Sequence, residues 1–141
     1  MTNERTRRDE PKIVAGRPTP RVLEIRSQGY ITRAELMRVL EESEVLLGEH
    51  PEVDAMLWNT LHHEGHDPGN TNLGMVFHRR HAERFQRAAI LTHSAPMAAL
   101  SNIARALLPE LAIGVFGKRE EAVAWLTRGH MQHGGRRTRA A

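Results

Sequence analysis

Short apolar runs and helically spaced apolar stripes take turns along this chain. "KIVAG" (12–16) and "RVLEIRSQGYI" (21–31) have strand patterning, the second with Leu23 and Ile25 on one face. "RPTP" (17–20) between them reads as a turn whose two prolines exclude interior ladder positions, so the pair forms a hairpin. Thr32 and Glu35 then have capping-box spacing, and Leu36, Val39, Leu40, Ser43 and Leu47 keep a helical stripe that Gly48 should end. "VDAMLWNTL" (53–61) is apolar on both alternating faces, as a central strand covered on two sides requires.

The second half repeats the alternation. "NLGMVFHRRHAERF" (72–85) predicts a helix with Leu73, Val76, Phe77 and Phe85 inward and a basic outer face. "RAAILTH" (87–93) is a short buried strand. Ser94 is placed to cap the next helix, with Pro96 in its first turn and Met97, Leu100, Ala104 and Leu107 as its stripe. "LAIGVF" (111–116) is a last strand, and "KREEAVAWLTRG" (118–129) a closing helix with glutamates in its first turn. The order β-β-α-β-α-β-α-β-α, with short connections, predicts one α/β domain whose sheet is mixed and mostly parallel. Its extent is set at 12–129, between a basic disordered arm (1–11) and a basic disordered tail (130–141).

Composition narrows the chemistry. With 141 residues and 40% apolar content the chain can bury a core without staples. It has no cysteine, which removes disulfides, thiol catalysis and thiolate zinc sites. No apolar run is long enough to span a bilayer and no signal core precedes the domain, so the expected location is the cytoplasm. The net charge of +3 owes much to "RTRR" (5–8) and "RRTR" (136–139). These are read as solvated ends, and with three Phe, two Trp and one Tyr the chain is poorly equipped to stack on bases. Nucleic acid is therefore not expected as a partner.

"TLHHEGHDPGN" (60–70) is the densest cluster of reactive side chains. A zincin helix needs H-E-x-x-H, whereas His63-Glu64-Gly65-His66 is one residue short and is followed by Pro68-Gly69. If His62 and His63 extend the strand, they point to opposite faces. His63, His66 and Asp67 could still wrap a cation from a loop, joined by His78 and His81, and a small metal-dependent hydrolase built on His62–Asp67 is the alternative function. A polar loop without metal or cofactor is the preferred reading. His93-Ser94 lacks a nucleophile elbow, "GKREE" lacks Walker spacing, and Trp58 and Trp125 are read as core anchors.

"GYITRAEL" (29–36), "FQRAAILTHSAPMAALSNIARALLPE" (85–110) and the closing "IGVFGKREEAVAWL" (113–126) resemble the SpoIIAA-like group of the STAS superfamily, from about Val22 to Leu126. The resemblance implies a four- or five-stranded mixed sheet flanked by helices, and a non-enzymatic binding or regulatory module without a cofactor. The partners it implies are an apolar ligand, a membrane surface approached from the cytoplasm, or a partner protein, with a homodimer also open. Phosphoswitch members carry a serine where the central strand meets its helix. "TLHHEGHD" has none, so switching by phosphorylation is not expected here, and Ser94 is explained as a cap. The expected ligand or membrane surface is the segment from Leu73 to Arg87, with Leu73, Val76 and Phe77 on one side of its helix, Arg79, Arg80, Arg84 and Arg87 on the other, and Met75 and Phe77 exposed by movement beside the arginines at an anionic interface.

Overall fold

The structure is a computed structural model that describes residues 11–128. The basic arm and tail expected at the two ends lie outside the described residues, apart from Pro11. Strands β1 (Ile13–Thr19) and β2 (Val22–Ile31) are followed by helix α1 (Arg33–Glu49), β3 (Ala55–His66), α2 (Asn70–Arg80), β4 (Arg87–Leu91), α3 (Ala95–Leu107) and β5 (Ala112–Phe116). A closing helix, α4, occupies 119–128. The five strands lie in the order β1-β2-β3-β4-β5, with β1 antiparallel to β2 and every other pair parallel. Among the described residues no helix is long and apolar enough to cross a membrane.

The mixed sheet, the central position of β3 and the element order are as the pattern predicts. The hairpin is tighter than expected. Pro18 stays within β1, and only Pro20 and Arg21 turn, because β1 is an edge strand that shifts register between Gly16 and Thr19 and so tolerates a missing N–H. Gly48 does not stop α1. Its φ is not positive, and the helix runs to Glu49, where His50 donates its N–H to Leu46 O at 3.0 Å ahead of Pro51.

Two apolar layers cover the sheet. On one face Leu23, Ile25 and Met56 meet Leu36, Val39 and Leu47 of α1 and Phe77 of α2. Ser43, in the α1 stripe, is fully buried because its hydroxyl donates to Val39 O at 2.7 Å. On the other face Val22, Leu57, Ala89 and Leu91 meet Ala122 and Leu126 of α4. The start of α4 is clamped to β2 by Arg119, whose Nη2 and Nε donate to the two oxygens of Glu24 at 2.7 and 3.2 Å. Asn59 of β3 donates to the same carboxylate at 3.0 Å. Burial pushes the Glu24 carboxyl up, but Arg119 and Asn59 together outweigh it and hold the group below its ordinary value.

The capping box is formed. Glu35 N–H donates to Thr32 Oγ1 at 3.2 Å, and Thr32 N–H donates to Glu35 Oε1 at 2.9 Å. Thr32→Ala should therefore lower the unfolding free energy by about 1 kcal/mol in a urea titration, with the circular dichroism spectrum unchanged. A loss within error of zero would mean that the box is formed but contributes nothing.

Candidate functional site

The stretch 62–66 is a strand, not a loop. β3 continues past Thr60 and pairs with β2, His62 opposite Gln28, His63 opposite Gly29 and His66 opposite Ile31. Strict alternation would send Thr60 and His63, three residues apart, to opposite faces. Two register shifts, one between Arg26 and Gln28 and one between Gly29 and Tyr30, add the extra residues that return His63 and then His66 to the same side. Gly29 makes the second shift feasible with φ +71°, a conformation that a side chain would strain.

The result is a hydrogen-bonded row. Ser27 Oγ lies 3.0 Å from His63 Nδ1, His63 Nε2 lies 2.8 Å from His66 Nδ1, and His66 Nε2 lies 3.4 Å from Thr71 Oγ1. Burial, and then the neighbouring His66, push the His63 imidazole below its ordinary value. Asp67 is not part of the row. Its oxygens accept from the Arg33 N–H and from Tyr30 OH, both at 2.7 Å, which together hold its carboxyl down. His62 is exposed, His81 is bonded to Glu44, and His78 is bonded to Trp58. Among the described residues no group of three or more His, Asp or Glu is placed to hold a metal ion.

The row borders a cavity of about 160 Å³ on the same face of the sheet. Its floor runs across Ile25, Trp58, Ile90 and Ile113, one from each of β2 to β5, and α2 and α3 form its walls. Two features keep it open. Asn70, Gly74 and His78 line it at i, i+4 and i+8 of α2, and Gly74 has no side chain to fill the middle; a Cβ there would come no nearer than 4.0 Å to the Trp58 ring. α3 lies loosely: Met97, Leu100 and Ala104 reach the cavity only half-buried, and Ser101 alone of its residues is buried. Leu107, expected in the inward stripe, is 48% exposed. Ser94 caps the helix, its hydroxyl accepting from Met97 N at 3.4 Å.

His78 is the most perturbed group. Trp58 Nε1–H donates to its Nε2 at 2.8 Å, and burial, with a smaller contribution from His81, pushes it down to about 4. An indole nitrogen only donates, so the neutral His78 carries its proton on Nδ1. That Nδ1 and the Asn70 Oδ1 are buried without a hydrogen-bond partner among the described residues. Such groups cost about 1–3 kcal/mol each unless something else meets them.

The helix expected to carry the binding surface places its residues unevenly. Arg79 and Arg80 are exposed, Arg80 lying 3.6 Å from Glu44. Arg84 lies in the turn after α2, where its guanidinium donates to the carbonyls of Val53 and His50. Met75 and Phe77 are buried and Leu73 is half-buried, so Met75 and Phe77 reach the surface only if α2 leaves the sheet. Val76, expected inward, is 40% exposed, since two residues from Gly74 is about 200° around the helix. Trp58 and Trp125 are half-buried, Trp125 packing on Phe116 at 5.4 Å under the Arg87 guanidinium.

The sequence profile of the SpoIIAA-like family matches residues 22–127. The chain belongs to the SpoIIAA-like family. Solved structures agree on the fold of this SpoIIAA-like chain. An uncharacterised Shewanella loihica protein with a SpoIIAA-like fold superposes with a TM-score of 0.64 at 19% identity, covering 81% of this chain and 91% of that one. The anti-sigma factor antagonist SpoIIAA in its unphosphorylated form gives 0.64 at 17% identity, covering 83% and 96%. The phosphorylated Bacillus SpoIIAA gives 0.59 at 17%, covering 79% and 96%. Comparison with curated proteins finds no match.

The sequence pattern did not single out Asn70, Gly74 and His78 as a set. Their four-residue spacing was the available signal: a glycine between two polar residues on one face of a helix whose other stripe is apolar.

Proposed function

We propose that this SpoIIAA-like chain is a non-enzymatic binding module whose ligand is an apolar small molecule held between the sheet and α3. The observation that carries this reading is the cavity itself. It is floored by one apolar side chain from each of four strands and kept open by Gly74, and among the described residues its lining contains no Asp, Glu, Lys or Arg. A cavity of about 150 Å³ with such walls accepts a benzene-sized molecule. One solved neighbour, SpoIIAA, is an anti-sigma factor antagonist, which supports a regulatory use of the fold. Docking of α2 on an anionic surface ranks second, because Met75 and Phe77 are already buried.

Gly74 supplies the test. Gly74→Ala should raise stability by about 1 kcal/mol, since glycine is a poor helix former and the new Cβ meets only ordinary contact. Gly74→Leu should fold and fill the space. Titration with toluene, followed by nuclear magnetic resonance of the Trp58 indole and the isoleucine methyls, should show saturable binding to the wild type and none to folded Gly74→Leu. No shift at Trp58, Ile25 or Ile90 in the wild type would end this reading.

A further inference from the structure

We propose that the histidine row makes the cavity a site for a small carboxylate with an apolar body, and that binding of the anion is coupled to uptake of a proton by the His63–His66 pair. The inference rests on the cavity reading above and adds to it the ligand's polar end and its dependence on pH.

Ser27, His63, His66 and Thr71 all line the cavity. Ser27 is 5% exposed, whereas His66 is half-buried and Thr71 exposed, so the Thr71 end of the row is where solvent meets the cavity. The contact between His66 Nε2 and Thr71 Oγ1, at 3.4 Å, is the longest in the row. An oxyanion at the mouth takes the Nε2–H and the Thr71 O–H without opening another link, while its apolar body enters the cavity.

The two imidazoles point nitrogens at each other, 2.8 Å apart with ring centroids 5.0 Å apart. With both rings neutral the links run from Ser27 O–H to His63 Nδ1, from His63 Nε2–H to His66 Nδ1 and from His66 Nε2–H to Thr71 Oγ1, or all in reverse. One added proton breaks none of them. His66 then donates from both nitrogens, His63 accepts at Nε2, and the His63 Nδ1–H turns to Ser27 Oγ. A second proton would set two N–H groups head to head. The pair is therefore built to hold a single positive charge at the mouth, and histidine gains such a charge between about pH 8 and 5.

No lysine or arginine is among the described residues that line the cavity, so a bound anion has no fixed counter-charge and depends on that proton. The groups around the pair do not compete for it. From β2 come Ser27 and Tyr30, and Tyr30 donates to Asp67. Asp67, just after β3, gives its other oxygen to the N–H of Arg33 at the start of α1, and the Arg33 side chain is exposed. Glu64 is exposed and lies over Gly29, its Oε2 4.0 Å from where a Cβ would stand. The α2 residues here are Asn70, Thr71 and His78, the last kept neutral by burial, and α3 brings only apolar side chains. Burial also opposes a charge on His63, in keeping with a proton that enters from the mouth.

The test uses the full chain and two probes of one ring, toluene and benzenesulfonate, the second with a charge that stays fixed over the range. Benzenesulfonate should bind roughly five- to tenfold more tightly at pH ~5.5 than at pH ~8, while the affinity for toluene stays level. Calorimetry in two buffers of different ionisation enthalpy should show roughly half a proton taken up per benzenesulfonate near the midpoint of the pair, and none with toluene. By reciprocity the anion should raise that midpoint, read from the ¹⁵N resonances of the two histidines, by about one unit. In folded His63→Gln/His66→Gln, which keeps polar groups in the row but cannot gain the charge, binding of benzenesulfonate should no longer depend on pH. If the wild type binds toluene but not benzenesulfonate, or binds benzenesulfonate equally at both pH values, the anion site is wrong and the cavity reading survives. The same holds if the folded double variant keeps the pH dependence. If neither probe binds, the cavity reading fails with it.

Discussion

Leu57→Ala should lower the free energy of unfolding by about 2–5 kcal/mol, toward the upper end of that range. Leu57 is 0% exposed, on the central strand, between Glu24 of β2 and Ala89 of β4. Its side chain packs into the layer beneath α4, where Ala55, Ala89 and Ala122 are among the neighbours. Alanines have no side chain to swing into a vacated volume, so the cavity left behind stays largely open. Val76→Ala removes the same kind of apolar atoms from a site that is 40% exposed and should change stability by less than about 0.5 kcal/mol. Urea titrations of the two variants against the wild type measure both. Equal, small losses would place Leu57 outside the core and remove β3 from the centre of the sheet.

That contrast also shows what the sequence makes legible. Leu57 is readable because β3 is apolar on both faces, a pattern that a strand covered from two sides produces and few other settings do. Thr32 and Glu35 are readable because a capping box is local chemistry, complete within four residues. Val76 is misread for the opposite reason. Helical spacing places Leu73, Val76 and Phe77 on adjoining positions of one arc, and only the direction from which the sheet approaches decides which edge of that arc is buried. The sheet meets α2 along Asn70, Gly74 and His78, which turns Val76 outward.

The histidine stretch fails to read as a strand because its register depends on a distant segment. Gly65, Pro68 and Gly69 signal a loop, and the pairing that overrides them comes from β2, through the shifts at Arg26–Gln28 and Gly29–Tyr30. Neither shift has a signature within 62–66. The cavity is invisible in the sequence for a related reason: it arises from α3 failing to settle. The stripe Met97, Leu100, Ala104 has the composition of a helix that packs tightly, and its half-burial reflects the spacing between elements. Family membership does not supply it either, since these solved neighbours are at most 19% identical and speak for the fold alone.

Acidification should destabilise the fold through His78 by about 3 kcal/mol. In the unfolded chain the imidazole has its ordinary value of 6.5, and in the fold burial pushes it down to about 4. Each unit is worth about 1.4 kcal/mol. The sign follows from which state binds the proton. Between pH 6.5 and about 4 the unfolded chain holds it and the folded chain does not, so the stabilisation is complete above 6.5 and is lost as pH falls toward 4. His63 is shifted in the same direction from the same starting value and adds to the loss. Glu24 and Asp67, both lowered, act below their ordinary values of 4.5 and 3.8 and steepen the decline only at its acid end. Urea midpoints taken at pH ~7.5, ~5.5 and ~4 should fall in that order, and the Trp58→Phe/His78→Phe variant should show a shallower fall between the first two. A wild type as stable at pH ~5 as at pH ~7.5 would mean that His78 charges freely in the fold.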